Sequence, residues 1–337
     1  MEKVFCFGEL LLRITLPPDG NWVDAKQSSL FLGGAELNVA QALNKWKQPV
    51  RYMTALPENH IVAAEAFDYL HHSGVDVSTI IHFGSMLGTY YLKLGNDLKK
   101  SGVVYDREAS SFSLLKKGML DWDELLKDCS WFHFSAITPA LNRELAAVCE
   151  EGLQAAVQRN MKISVDLNYR AKLWNYGAAP YSIMDSLMNY CDLVMGNIWS
   201  VEKLTAIKSP VESSNGISET ILKGSAVASM NELRQKYPTV KEIFYTFRLT
   251  NEYFAVTQNE MGVVSSPSFP VLHVADGAGS GDCFMAGIIY GKLQHWTTER
   301  TLNFAVAAAI GKLNEMGDAT SQTMEQINER VTKMIEQ

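Results

Sequence analysis

Short runs of apolar, β-branched and aromatic residues alternate along this chain with longer stretches in which apolar positions recur every three to four residues. The first run, at 3–7, leads into Gly8-Glu9, and comparable runs stand at 163–166, 193–195 and 242–246. Each has the length and composition of a buried strand. The helical period appears at 35–46, 63–72, 142–159, 281–293 and 298–314. The stretch at 141–160 is about one crossover long and feeds directly into the strand that ends at Asp166. Such alternation predicts an α/β protein whose mostly parallel central sheet is covered by helices on both faces. Two segments, 10–32 and 80–107, break the rhythm. They combine β-type residues with the turn signals Pro17-Pro18-Asp19-Gly20 and Gly95-Asn96-Asp97 and show no amphipathic helix. They predict a small accessory sheet inserted twice from the main body, a lid on one interdependent 337-residue α/β body. The Ser-rich stretch 209–218 reads as a surface loop, and Trp131-Phe132-His133-Phe134 as a buried strand.

Composition supports a large core and narrows the partners. With 47% hydrophobic and 20% charged residues, disorder, collagen and coiled coil are excluded. Apolar stretches such as 304–310 fall far short of the roughly 18 to 20 residues that span a bilayer, and the N-terminus lacks a signal pattern. A cytoplasmic protein is expected, without a membrane partner. Thirty basic against 37 acidic residues give a net charge of −7 with no long block of either sign, which argues against nucleic acid but not against small anions. The five cysteines include no C-x-x-C, so neither a disulfide framework nor a zinc ribbon is implied.

The richest chemical signal is Asp276-Gly277-Ala278-Gly279-Ser280-Gly281-Asp282-Cys283-Phe284, immediately before an apolar helical run. Small residues let backbone N–H groups approach an anion, and the following helix start adds its positive dipole end, so the segment reads as a phosphate cradle. It is neither a Walker A loop nor a dinucleotide fingerprint. A carboxylate at Asp282 would repel a resting phosphate. It makes sense as the acceptor of a proton from a hydroxyl that attacks a phosphoryl group. At the ordinary Asp pKa of about 3.9 it is a weak base, and in a loose transition state orientation carries more of the work. An N-capping Asp would account for the same position. The second signal, Gly33-Gly34-Ala35-Glu36-Leu37-Asn38-Val39-Ala40, is by itself only a glycine turn before a helix.

Together these two segments resemble the signature motifs of the ribokinase or phosphofructokinase-B family of sugar kinases, with the first near the sugar and the second holding the phosphate loop and catalytic Asp. The resemblance implies a three-layer α/β/α sandwich with a small β-sheet lid. Asp166-Leu167-Asn168-Tyr169-Arg170-Ala171-Lys172-Leu173-Trp174, Gly88-Thr89-Tyr90-Tyr91 and Tyr105-Asp106-Arg107 are similar to segments with which 2-keto-3-deoxygluconate kinases hold an acid sugar. Arg107 and Arg170 offer guanidinium forks that match a carboxylate, and Tyr90 and Tyr105 offer hydroxyl donors and apolar faces. Each Arg taken singly reads more simply as a surface ion pair; with Gly34, Asn38 and the loop, the ligand reading is favoured.

The resemblance therefore implies ATP-dependent transfer of the γ-phosphoryl group to the C6 hydroxyl of 2-keto-3-deoxygluconate. Asp282 would be the base, and the N–H groups around Gly279, Ser280 and Gly281 would stabilise the transferring group. Mg2+ would bridge the phosphates, a monovalent cation would find a place, and a homo-oligomer, a dimer through the lid, is favoured. Three departures concern the nucleotide side. The usual N-x-x-E reads Asn197-Ile198-Trp199-Ser200, which leaves the metal ligands unassigned. Thr246-Phe247-Arg248 carries an arginine where relatives have glycine, so that Arg248 either reaches ATP phosphates or lies on the surface. Val306 stands where many relatives have Asn. The alternatives are a kinase of a neutral sugar such as fructose or ribose, a nucleoside kinase, and a catalytically silent sensor on this fold, which an intact Asp282 argues against.

Overall fold

Strand Lys3–Phe7 shows how the sheet acquires two buried faces. Phe5 and Phe7 project to one side, Val4 and Cys6 to the other, and none of the four is exposed. On the first side they join Phe132, Phe134, Ile163 and Val165 and the apolar faces of helices Arg143–Gln158, Pro180–Met188 and Glu219–Lys236. Phe5 and Phe132 sit 5.2 Å apart between ring centroids. On the second side Val4 and Cys6 pack with Leu37, Phe284 and Phe304 from helices Ala35–Lys45, Ser280–Leu293 and Thr298–Leu313. Burial on both faces is why these strands read as continuous apolar runs rather than alternating ones.

The computed structural model describes residues 2–16, 26–93 and 102–336. The predicted turns at 17–20 and 95–97 lie outside the described residues. From one edge the central sheet runs Gly262–Ser265, Glu252–Asn259, Glu242–Arg248, Leu193–Gly196, Lys162–Asp166, Cys129–Ser135, Lys3–Phe7, Val50–Met53, with Phe269–Pro270 also paired to Glu252–Asn259. The six strands from Glu242–Arg248 to Val50–Met53 are parallel, and the remaining pairings are antiparallel. This is the expected three-layer α/β/α arrangement with a mostly parallel sheet. The antiparallel edge and the last helix, Met324–Ile335, lie outside the predicted elements; their local signals are the Asn259-Glu260-Met261-Gly262 turn and the Thr323 and Gln326 capping box. The stretch 209–218 contains neither helix nor strand, as read. Among the described residues, no helix is long and apolar enough to cross a membrane.

The two interrupting segments do meet. Their strands form a separate sheet in the order Ser29–Gly33, Leu11–Leu16, Thr89–Lys93, Val103–Asp106, with the central pair parallel and the outer pairs antiparallel. One boundary needs correction. Ile81–His82 pairs with Ala55–Leu56 instead, because the Ile81 N–H donates to the Thr54 carbonyl and the Phe83 N–H to the Leu56 carbonyl. The second segment thus enters the lid only at Thr89. Gly8-Glu9, Asp166, Gly196 and Arg248 all stand at carboxyl ends of parallel strands, the end at which open α/β sheets bind ligands.

Candidate active site

Two glycines shape the site by what they leave out. Gly34 has φ 138°, and a Cβ there would run into the Glu9 carbonyl oxygen; Gly279 has φ 76°, and a Cβ there would overlap the Asp318 carbonyl oxygen. Each is the N-cap of its helix, Ala35–Lys45 and Ser280–Leu293, and neither has a side chain to satisfy the first-turn N–H groups. Those groups are left for a ligand. The cap assignment also corrects one sequence reading: Asp282 is not an N-cap but stands in the first turn, projecting its carboxyl beside the cradle. Ser280 contributes only backbone, because its hydroxyl donates to the Ala309 carbonyl at 3.1 Å.

The Asp282 carboxyl is buried. Burial raises its pKa to about 7, while the Asn38 hydrogen bond and the Arg170 charge pull it down and Glu36 and Asp318 push it up. It is therefore a far better matched base than an ordinary Asp. Asn38 Nδ2 donates to Asp282 Oδ2 at 2.7 Å, which leaves Oδ1 for a substrate hydroxyl. The helix turn that carries Asn38 is itself pinned by Glu36, whose buried Oε1 accepts from the Ser135 N–H at 2.8 Å, the Ser135 hydroxyl at 2.6 Å and the Thr138 hydroxyl at 3.2 Å.

Asp282 stands in the wall shared by two cavities. One, of about 500 Å³, opens under the lid and is lined by Gly34, Asn38, Tyr90, Tyr105, Arg107 and Arg170, which are all six residues expected to hold a sugar. The other, of about 490 Å³, is lined by Asn197, Thr246, Arg248 and the loop from Gly277 to Asp282. Arg170 and Arg248 line both, so Arg248 is a wall of the site and not a remote surface residue. Val306 is fully buried in the core and lines neither.

Several expected roles are narrowed by contacts within the protein. Arg107 Nε donates to Glu9 Oε2 at 2.8 Å, and its Nη2 pairs with the same oxygen. Its fork thus closes on Glu9, where a substrate carboxylate was expected. Tyr90 donates its hydroxyl to Asp318 Oδ1, so its oxygen faces a ligand as an acceptor. Asn197 caps helix Ile198–Thr205: its Oδ1 accepts from the Trp199 N–H at 3.1 Å and the Ser200 N–H at 2.9 Å. Ser200 Oγ accepts from the Asn197 N–H at 3.0 Å. The serine thus completes the reciprocal cap that a glutamate would make and explains how the N-x-x-E motif is lost without loss of the helix start.

The sequence reading passed over other lining residues. Asn168 lines both cavities, and Lys172 lines the lid cavity while its Nζ donates to the Val103 carbonyl of the lid at 2.6 Å. The polar spacing Asp166, Asn168, Arg170, Lys172 after a strand end was their available signal. Asp166 lines the second cavity. Its pKa is pushed well up, first by burial and then by Asp282, with Arg170 opposing. Among the described residues no cluster of three or more His, Cys, Asp or Glu side chains is arranged for a metal. A buried carboxylate beside a second one nevertheless suits a divalent ion that takes its other ligands from water and phosphates, so Asp166 is the residue that fits Mg2+. A monovalent cation fits less well. Of the oxygens behind the loop, the Asp276 and Asp318 carboxylates are ion-paired with Arg13 at 2.5 and 2.7 Å, and the Gly317 and Glu315 carbonyls accept from Lys312 Nζ at 2.7 and 3.1 Å.

A cradle for anions that opens beside a base aimed into a second, hydroxyl-lined cavity defines a phosphotransferase with an alcohol group as acceptor. Residues 1–324 match the pfkB family carbohydrate kinases, and the chain belongs to that family. It is 27% identical over 333 residues to 2-dehydro-3-deoxygalactonokinase of Haloferax volcanii, covering 98% of this chain and 96% of that protein. Its fold superimposes on 2-dehydro-3-deoxygluconokinase of Thermotoga maritima with a TM-score of 0.89 at 30% identity, covering 98% of this chain and 100% of that one. A putative ribokinase II from E. coli, solved in complex with ATP and Mg2+, shares the fold with a TM-score of 0.82 at 17% identity, covering 99% and 100%. The protein is a sugar kinase related to the 2-keto-3-deoxy sugar kinases.

Proposed function

We propose that the protein transfers the γ-phosphoryl group of ATP to the C6 hydroxyl of 2-keto-3-deoxygluconate. The charge of the lid cavity carries this reading: its wall holds Arg170, Lys172 and Arg248, with Arg107 paired to Glu9, against Asp282 and Asp318, a balance that suits an acid sugar better than a neutral one. Arg170 lines the cavity from the segment that follows strand Lys162–Asp166, where its Nη1 donates to the Tyr169 carbonyl at 3.3 Å. It is the residue best suited to the carboxylate, with Lys172 and the remaining edge of Arg107 beside it. The buried Oδ1 of Asn38 has no partner among the described residues and suits a sugar hydroxyl.

The reacting hydroxyl gives its proton to Asp282 as its oxygen bonds to the γ-phosphorus, and the bond from phosphorus to the departing ADP oxygen breaks. Backbone N–H groups at Gly279, Ser280 and Gly281 meet the charge on the transferring group. Arg248, Thr246 and Asn197 line the side on which ATP would lie. Mg2+ supplies neutralisation of the phosphate charge when bound, and Asp166 is the residue to hold it.

ADP release measured across 2-keto-3-deoxygluconate, 2-keto-3-deoxygalactonate, fructose, ribose and a nucleoside tests the substrate class, with NMR of the product locating the phosphate. Turnover confined to the keto-deoxy acids, with phosphate on C6, is expected. Arg170→Ala should then raise KM for the acid by about tenfold or more, the loss of one charge-assisted pair. Preferred turnover of a neutral sugar or nucleoside would replace this reading with the corresponding family alternative, and no turnover at all would favour a sensor.

A further inference from the structure

Arg13 sits in the middle of lid strand Leu11–Leu16 and is completely buried, a rare place for a guanidinium. All three of its nitrogens are engaged. Nε donates to Thr15 Oγ1 at 2.7 Å, Nη1 to Asp318 Oδ2 at 2.7 Å and Nη2 to Asp276 Oδ2 at 2.5 Å. Its planar head lies over Phe31, 5.1 Å from the ring centroid.

The two acids are themselves parts of the site. Asp276 opens the glycine loop, where its Oδ1 accepts from the Ala278 N–H at 3.0 Å and shapes the turn, while Oδ2 accepts from the Gly317 N–H at 3.1 Å. Asp318 accepts the hydroxyl of Tyr90, on the neighbouring lid strand, and its carbonyl backs directly onto Gly279. One guanidinium thus joins the lid sheet, the wall of the sugar cavity and the turn of the phosphate cradle. A buried ion cluster adds little net stability over apolar packing of the same volume. What this one fixes is relative position, and phosphoryl transfer depends on position above all.

We propose that Arg13 is a positioning residue for phosphoryl transfer, coupling the lid's hold on the sugar to the shape of the loop that receives the phosphoryl group. The proposal rests on the kinase reading of the site and is indifferent to which sugar is used. A sugar seated against Tyr90 biases Asp318, Arg13 and Asp276 toward one arrangement, and that arrangement presents the loop N–H groups to the nucleotide. Sugar and nucleotide must then favour each other's binding.

The experiment measures binding of a non-hydrolysable ATP analogue by calorimetry, with and without 2-keto-3-deoxygluconate or the sugar the substrate panel selects, alongside kcat and both KM values. Wild type is compared with Arg13→Lys, which keeps the charge but cannot bridge three partners, and with Thr15→Val, which removes only the Nε acceptor. Wild type should bind the analogue about fivefold or more tightly when sugar is present. Arg13→Lys should bring that ratio close to one, raise each KM measured at saturating partner substrate by about the coupling factor lost, and lower kcat by about 100-fold; Thr15→Val should show a smaller loss of the same kind. If Arg13→Lys does not fold, Thr15→Val alone decides. A folded variant that is less heat-stable but keeps wild-type kcat and coupling overturns the proposal and leaves Arg13 a purely structural residue. A wild type without coupling overturns it as well. A wild type that turns over no sugar removes the kinase reading instead, and the binding ratio still reports on Arg13.

Discussion

Asp282 is the residue on which the chemistry converges, and its surroundings predict how activity depends on pH. Burial lifts its carboxyl to about 7, and Asn38 and Arg170 keep it from rising further. Only the ionised form can accept the hydroxyl proton, so kcat/KM should rise with pH through the neighbourhood of 7 and then level off. Removing the Arg170 charge takes away one influence that favours the ionised form, so Arg170→Ala should move this limb to higher pH. A limb that stays in place, or moves to lower pH, would separate Arg170 from Asp282. Asp282→Asn keeps the shape and cannot accept the proton, and should lower kcat by about 10²- to 10⁴-fold with nucleotide affinity retained. The sequence exposed this residue because its neighbours in the chain, Gly279 and Gly281, build the cradle beside it. It could not expose the raised pKa, which comes first from burial and then from Glu36 and Asp318, against the pull of Asn38 and Arg170, all distant in sequence.

At the scale of the element, three helix starts frame the site by different means. Helices Ala35–Lys45 and Ser280–Leu293 begin at glycines and leave their first N–H groups open, whereas Ile198–Thr205 is closed by Asn197 and Ser200. The open starts suit ligands, and the closed one supports the wall of the nucleotide-side cavity. Asn197→Ala should therefore lower the unfolding free energy by about 1 kcal/mol, the usual worth of such a cap, measured by urea denaturation. Asn197→Ser, which can still cap, should recover most of that loss. If the serine variant also recovers KM for ATP, then Asn197 acts on the nucleotide through the helix; if stability returns and KM does not, its amide meets the nucleotide directly. Glycine-rich starts are legible in a sequence because glycine before a helical period is a local signal. The antiparallel edge formed by Glu252–Asn259 and Gly262–Ser265 was not, since the first strand is buried on both faces and shows no alternation of its own, and the second is only four residues long.

At the scale of the molecule, the chain is acidic, with a net charge of −7, yet its cations are gathered where anions are handled. Some face the cavities and others lie behind the loop. Arg13 and Lys312 are both fully buried. Burial pulls the Lys312 pKa down, while Asp276, Glu315 and Asp318 resist. These two groups escape a sequence reading because the Arg13 partners lie 263 and 305 positions away, and nothing in a local pattern marks a lid arginine as the counter-ion of a loop near the other end of the chain. Their presence decides between two behaviours in salt. An inorganic cation behind the loop would need the carboxylate and carbonyl oxygens that Arg13 and Lys312 already hold, and displacing either would strand a buried charge. Replacing K+ by Na+ or by choline at constant ionic strength and fixed Mg2+ should therefore leave kcat and Tm unchanged, because an ion that does not bind the folded state cannot stabilise it. Lys312→Met frees the carbonyls of Gly317 and Glu315, and in that variant Tm should respond to K+. A wild-type kcat that climbs with K+ while choline has no effect would show that the two side chains do not fill the cation's place.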